Sequence, residues 1–573
     1  MPAVLSVEVR PDESFERYEA LAREHGSDRV LALVARSTRT AWLRRLEGVD
    51  RAEDLIFTPG AWVRRELALW WPLADAGLTA DGWPRSDSAL AEPLFVQADI
   101  AQGLMAAFTR ESRQRDRAFA DARTPSSLIY VQLLDVLDAA VLHRLDLAEA
   151  ARLLLAGCFY PDEAPRRRHV QPCLEAYRDG MLRARMLDRS LARWVFELYV
   201  LPSEPYLAHR ARTLRAELRE DPPAAPSGPL GRLAFAILAD SPAGLPLGIS
   251  RTYPEMLGRA SAEAVAGFAA GRTVALVVPG MTSLLAWWFR RALAEAGVPL
   301  VVSAGTNRLT DHAPVRVALA LAAHAFPVAG GPERDPDLWQ DALEAVDGDA
   351  GRIEAWADAA RALPLSLAGV FRLAFGRLLA PAGRTAADWQ VADAISQLAS
   401  AAERFAAADA RMEGAWGRPG DGAPGLAGQA WRFREFLLAG HFAARPGLVA
   451  PPPAGAVRLT TLRRFAEDGE AADLVLLLDA SAPSWLRSGA REICNANVLR
   501  PDRPAGPYLP AEEREDAIRA LASDLSRAAA WAQGEAHLLA SLADAEGGDQ
   551  PGGLADFCEP SWAPEPREAG GPA

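Results

Sequence analysis

The sequence predicts an α/β protein built on two parallel sheets, each interrupted by a long helical insertion. Three observations carry that expectation. Apolar runs of strand length alternate with amphipathic stretches near the start, middle and end of the chain. Two long stretches between them, about 90–200 and 335–445, place apolar residues at helical spacing with almost no strand signal. Residues 272–316 then spell out a strand, a helix, a second strand and the start of a second helix.

Taken in order, DRVLALVARSTRTAWLRRL (28–46) is a β-rich run, a polar turn at Arg36 to Arg39 and an apolar helical stripe. Stretches such as SSLIYVQLLDVLDAAVLHRLDLAEAARLLLAG make the first helical region. A Pro-rich break, EDPPAAPSGPLG (220–231), precedes RLAFAILAD, which reads as a short buried strand. RTVALVVPG is a strand ending in Pro279-Gly280, MTSLLAWWFRRALAEAG a helix closed by Gly297, and VPLVVSAG the next strand. Asp311 is placed to cap a helix that tolerates Pro314 in its first turn. After the second helical region and the linker RPGLVAPPPAGAVRL (445–459), VRLTTLRRF and DLVLLLDA are strands. The segments expected are 1–90 and 196–270 for the first sheet, with 91–195 inserted, and 271–334 and 456–545 for the second, with 335–455 inserted. The Gly/Pro-rich acidic tail, 546–573, is expected to be disordered.

Composition narrows the chemistry. The chain has 573 residues, is 50% hydrophobic and 24% charged, and so has material for several cores. It contains no lysine, so all 62 basic residues are arginine, which rules out any mechanism that needs a phosphate-loop, Schiff-base or nuclease lysine from this chain. The net charge of -13 argues against a uniformly basic nucleic-acid coat, although local Arg patches remain compatible with it. Cys158, Cys173, Cys494 and Cys558 show no metal or disulfide spacing and read as buried free thiols. No apolar run is long enough to span a bilayer, and MPAVLSVEVRPDESF lacks a signal-peptide profile, so a cytoplasmic protein with no membrane partner is expected.

The order of these elements resembles the UvrD/Rep-type superfamily 1 DNA helicases, whose two RecA-like, P-loop NTPase-type domains each receive a helical insertion. The specific likeness lies in RTVALVVPGMTSLLAWWFRRALAEAGVPLVVSAGTNRLTDHAPVRVAL, with GVP where that family has GIP at the opening of its second motor domain. VLALVARSTRTAWLRRL is similar to motif Ia, IFTPGAWVRREL suits motif Ib, and VRLTTLRRFAEDGEAADLVLLLDA is similar to motif V. NANVLRPDRPAGPYLPAEEREDAIRALASDLSRA looks like the approach to motif VI.

The resemblance implies an ATP motor, and the motor's parts are missing at their places. ATP hydrolysis in this fold needs a Gly-rich loop with a lysine, an acidic pair for magnesium, and arginines for transition-state charge. Where the loop belongs, VEVRPDESFERYEAL has no glycine, Phe15 near the lysine position, and Asp12, Glu13 and Glu16 set to repel phosphate. FELYVLPSEPYL, the best candidate for the strand before the acidic pair, offers Leu201-Pro202 and only Glu204 nearby. In motif V, Asp468 stands near the family lysine and Arg463 near its histidine, and SDLSRAAAWAQGEAHLL, around Arg527, lacks the family's TRA pattern. No catalytic or ATP-binding residue, no cofactor and no metal site is therefore expected.

What remains is a set of DNA-contact candidates: Arg36, Ser37, Thr38, Thr58, Asn307, Arg308, Thr460, Thr461 and Arg463. Hydroxyls and amides at the ends of parallel strands hold phosphates, and Arg adds long-range attraction and base stacking. Each has a plainer reading. Arg36 to Thr38 also suit a solvated turn, Thr460 and Thr461 ordinary β-branched strand positions, and Asn307 and Arg308 a turn and a surface charge. Trp287-Trp288 reads as core or subunit interface, APRRRHVQPC (164–173) as a solvated charge run, and DGDAGR (347–352) is too short for a calcium loop. The expectation is a helicase-like pseudoenzyme that binds single-stranded DNA or scaffolds a repair or recombination nuclease. The alternatives are an active helicase with an unrecognised phosphate loop and a protein-interaction scaffold that binds neither ATP nor DNA.

Overall fold

The structure is a computed structural model that describes residues 4–9, 14–25, 30–34, 39, 43, 56–85, 92–115, 126–159, 163–210, 214–220, 228–302, 308–328, 336–380, 386–412, 425–440, 455–468, 470–486, 495–504, 506–550 and 552–558. Its strands, in chain order, are β1 (Val4–Val9), β2 (Val30–Leu33), β3 (Ile56–Phe57), β4 (Leu94–Phe95), β5 (Met186–Leu187), β6 (Leu214–Glu220), β7 (Leu247–Ser250), β8 (Val274–Val278), β9 (Leu300–Val302), β10 (Val457–Thr461), β11 (Ala472–Leu478) and β12 (Ala532–Ser541). They form a four-stranded sheet ordered β1-β6-β2-β3, a six-stranded sheet ordered β7-β12-β11-β8-β10-β9, and the small pair β4-β5. Every pairing among these strands is parallel.

The six-stranded sheet shows why its strands read as unbroken apolar runs. Parallel strands joined by crossover helices are covered on both faces. One face packs against helices Tyr253–Ala269 and Ser283–Glu295, the other against Gly228–Leu238, Leu462–Asp468 and Pro510–Ala529. The central strand β8 is buried throughout, and β11 is buried at all but one position. The connections β7 to β8 and β8 to β9 run over the first face, and β10 to β11 and β11 to β12 over the second. Since parallel crossovers are right-handed, moving in opposite directions along the sheet requires opposite faces. The direction reverses between β8 and β11.

The helical regions form a frame of their own. The first contains helices Ala98–Arg115, Ser126–Leu142, Leu147–Ala156, Val170–Arg183 and Arg189–Val195, the second Pro336–Glu344, Ala350–Ala362, Leu367–Ala374, Ala386–Asp409 and Gly425–Leu438. Side chains of both regions belong to one continuous core that also takes in Leu31, Leu33, Val498, Leu499 and Tyr508.

Several expectations need correction. RLAFAILAD lies in the helix Gly228–Leu238, where Leu230, Leu233, Ala234 and Ile237 recur at helical spacing and are buried; so short an apolar run does not separate the two periods. β7, from the segment assigned to the first sheet, pairs with β12 in the six-stranded sheet; only β6 completes the four-stranded one. Asp311 does not cap the helix Ala313–Ala325, whose N-cap position is His312; its carboxylate accepts the Arg308 backbone N–H at 2.8 Å. Part of the tail expected to be disordered is packed: Leu554 and Phe557 are buried beneath the ends of β11 and β12. Gly553 permits that approach, because a Cβ there would stand 2.5 Å from the Ala480 carbonyl oxygen, and its φ of 72° is the left-handed region that glycine occupies freely. Composition described the glycines and missed the two apolar anchors between them. Residues 559–573 lie outside the described residues.

Candidate functional site at the strand ends

In open parallel sheets, ligands sit beyond the carboxyl ends of the strands where the winding direction reverses. Here that place lies between β8, which runs into Pro279-Gly280, and β11, which runs into Asp479. Asp479 holds a left-handed φ of 55°, unusual for a residue with a side chain. The turn is fixed from several sides. The Asp479 N–H faces the Met256 sulfur at 3.3 Å, and the Trp485 indole N–H donates to the Asp479 carbonyl at 2.9 Å. Ser481 donates to the Ser541 carbonyl at 2.7 Å, tying the ends of β11 and β12.

The electrostatics of this edge are acidic. Burial pushes the Asp479 carboxyl above its ordinary value, opposed by a Gln550 hydrogen bond and reinforced by the Asp544 charge. Burial likewise raises the Tyr253 hydroxyl, with the charges of Asp479 and Glu546 adding to it. Beside β8, Thr282 caps the helix Ser283–Glu295 by accepting the Leu285 N–H at 3.2 Å. A phosphate at the Asp479 turn would therefore meet carboxylates. Among the described residues, no group of three or more His, Cys, Asp or Glu side chains is placed to hold a metal ion, and no helix is long and apolar enough to cross a membrane.

The sequence candidates fall into separate groups. Arg36, Ser37, Thr38 and Asn307 lie outside the described residues. Thr460, Thr461 and Arg463 lie at the β10 end of the six-stranded sheet, whereas Arg308 lies against the second helical insertion. Thr460 is 2% exposed within β10, and its hydroxyl donates to the Thr461 carbonyl at 3.3 Å. It is a buried strand residue, which corrects its place among the DNA contacts. Thr461 ends the strand half-buried, opposite Val278 of β8. Arg463 is exposed on the next helix and paired with Glu467 at 3.1 Å. Arg308 is exposed, with its guanidinium against the backbone of Gly440, where an added Cβ would lie 3.0 Å from Nε. Thr58 stands apart at the end of β3 in the other sheet. Its hydroxyl caps the helix Pro59–Leu69 by accepting the Ala61 N–H at 3.3 Å.

The segments examined for motor parts also find their places. β1 ends at Val9 and the helix Ser14–His25 follows, with only the sequence RPDE between them. FELYVLPSEPYL is not a strand: Phe196–Val200 is a π-helical turn continuing Arg189–Val195, and Glu204–Arg210 is an α-helix. The strand after the first insertion is β6, lying between β1 and β2 and ending at Glu220, opposite Val9. Sequence reading missed β6 because its Arg and Glu residues alternate with few apolar ones in LRAELRE. It also passed over Asp479, which directly follows the apolar run LVLLL at a carboxyl end of the sheet, where ligands sit in open parallel sheets.

No protein-family model and no curated protein matches this chain. The likeness to superfamily 1 helicases thus rests on the order of its own motifs.

Proposed function

We propose that this chain is a helicase-like pseudoenzyme, a DNA-binding or scaffold component of repair or recombination with two RecA-like domains and no ATP hydrolysis of its own. The observation that carries the proposal is the junction between β1 and its helix. By its sequence, RPDE offers neither glycine amides nor a lysine for a triphosphate, and it adds the carboxylates Asp12 and Glu13 to the stretch that joins the two elements. The parallel order of both sheets and the helical regions that leave and re-enter them support the architectural half of the reading.

DNA would be held at the β10 end of the larger sheet, by Thr461 and Arg463, with Arg308 and the motif Ia turn at Arg36 to Thr38 as the remaining candidates. The acidic Asp479 edge favours a second reading, an interaction scaffold that binds neither ligand. Anisotropy titration of a fluorescent single strand at low salt separates the two. The first reading expects binding that weakens with salt, and Arg36→Ala with Arg463→Ala lowers the slope by roughly one unit per lost phosphate contact. No binding leaves the scaffold reading standing, and binding with an unchanged slope places the contact at other residues.

A further inference from the structure

We infer that the two helical insertions, though far apart in sequence, are clasped into one rigid frame by a buried arginine, and that a strap from the six-stranded sheet holds the same frame. The frame then has a fixed shape that needs no ligand to set it.

The clasp is Arg411, which follows the helix Ala386–Asp409 of the second insertion and is 5% exposed. Its guanidinium reaches into the first insertion, donating to the carbonyls of Ala184 at 3.3 Å, Arg185 at 3.0 Å and Glu92 at 2.9 Å. These acceptors flank the small parallel pair β4-β5, so one side chain grips both strands of that pair. Burial holds the guanidinium below its ordinary value, with the Glu92 charge opposing. A buried cation costs free energy unless its protons are bonded; here Nη1 and Nη2 are bonded and the buried Nε has no partner among the described residues. A mobile contact would pay that cost each time it opened.

The receiving surface is itself rigid. Arg185 is fully buried with a left-handed φ of 51°. It donates to Asp75 at 2.7 Å, to the Trp83 and Leu182 carbonyls at 2.7 and 2.6 Å, and to the Thr79 hydroxyl at 3.0 Å. The guanidinium of Arg185 thus shapes the turn whose carbonyl Arg411 holds. A second contact lies along the helix Ala98–Arg115. There the Phe436 ring of the second insertion sits so close over Gly103 that an added Cβ would be 1.6 Å from it. Arg404 completes the seam by pairing with Asp99 at 2.8 Å.

The strap is the segment 495–508 between β11 and the helix Pro510–Ala529. Val498, Leu499 and Tyr508 are buried in the frame's core and not in either core of the sheet they come from. The Tyr508 N–H donates to the Gly157 carbonyl at 3.0 Å, and Val498 packs where a Gly157 side chain would otherwise stand. Asp516 gathers the strap's base, accepting from Asn497, Arg500 and Tyr508 at 3.2, 2.7 and 2.7 Å.

Native-state hydrogen exchange on the full chain tests the clasp. In the unmodified protein, the slowest amides of 98–115, 170–183 and 386–409 are expected to open together, with one denaturant dependence. In Arg411→Met, 386–409 should exchange at least about ten-fold faster than 170–183, with β8 and β11 unchanged. Independent opening of the two insertions in the unmodified chain, or an Arg411→Met effect confined to the residues beside it, overturns the inference. Should Arg411→Met fail to fold, Gly103→Ala, which wedges the seam, must separate the same segments, and the unmodified chain alone still decides whether they open as one.

Discussion

The six-stranded sheet and the helical frame are held by partly different chemistry. Across β8 and β11 the cohesion is backbone ladder and aliphatic side chains, with Val274 to Val278 and Val475 to Leu478 almost wholly removed from water. The frame has an apolar core of its own, and to it are added guanidinium groups bonded to main-chain carbonyls. The contrast extends to arginine itself. Arg185 has no exposed side chain and serves architecture, while Arg463 is 76% exposed and pairs only with a neighbour on its own helix. In a chain whose basic residues are all arginine, their number therefore says little about nucleic acid. Burial separates the structural ones from those left to meet a partner.

The sharpest way to break this comparison is Arg185→Met. It takes a side-chain donor from the Trp83 and Leu182 carbonyls and removes one of the two arginines that, against the opposing effect of burial, hold the Asp75 carboxyl below its ordinary value. A loss of about 3 kcal/mol is expected in urea denaturation, because the variant removes the hydrogen bonds of the buried Arg185 side chain and leaves Asp75 with Arg85. A loss under about 1 kcal/mol, as for surface arginines, would remove the distinction.

On the sheet side, Asp479→Asn should have a smaller effect of opposite sign. The Asp479 carboxyl titrates above its unfolded value because it is buried, so its ionisation costs stability as pH rises through that raised value. Asparagine tolerates the left-handed turn and carries no charge. A gain below about 1 kcal/mol is expected at neutral pH and should disappear below about pH 4. A loss at neutral pH would show that the charged carboxylate is wanted there.

The smallest effect is expected at His537 on β12. Its hydrogen bond to Glu263 at 3.0 Å raises the imidazole above its ordinary 6.5, against a partly opposing burial. Stability from this pair is fully present below the ordinary value and is lost as pH rises through the raised one. His537→Gln should therefore cost under about 1 kcal/mol at acid pH and nothing at about pH 9. Equal costs at both would show that packing, not charge, is what the variant removes.

How much of this was legible beforehand follows the same physics. β8, β10, β11 and the helix Ser283–Glu295 were readable because strands buried on both faces are continuously apolar and an amphipathic helix keeps its period. β6 and β12 were not, since LRAELRE and AQGEAHLLAS carry charge or small residues where a buried run is sought. The helical content of both insertions was plain, whereas their union was not. Arg411 makes that union through the carbonyls of Glu92, Ala184 and Arg185, and main-chain acceptors leave no mark in a sequence. The site suffered similarly. Thr460 has a residue type suited to phosphate contact near a strand end, and its burial was not visible in the sequence.

The central proposal is that the sequence RPDE between β1 and its helix holds no nucleotide, and thermal unfolding of the full chain with ATP and magnesium, paired with a turnover assay with and without single-stranded DNA, tests it most directly. A nucleotide bound at a hundred-fold excess over its dissociation constant would add about 2.7 kcal/mol to stability and visibly raise the midpoint. The account predicts an unchanged midpoint and no turnover above background under either condition. A magnesium-dependent rise in midpoint, or DNA-stimulated turnover that survives repurification, would contradict it.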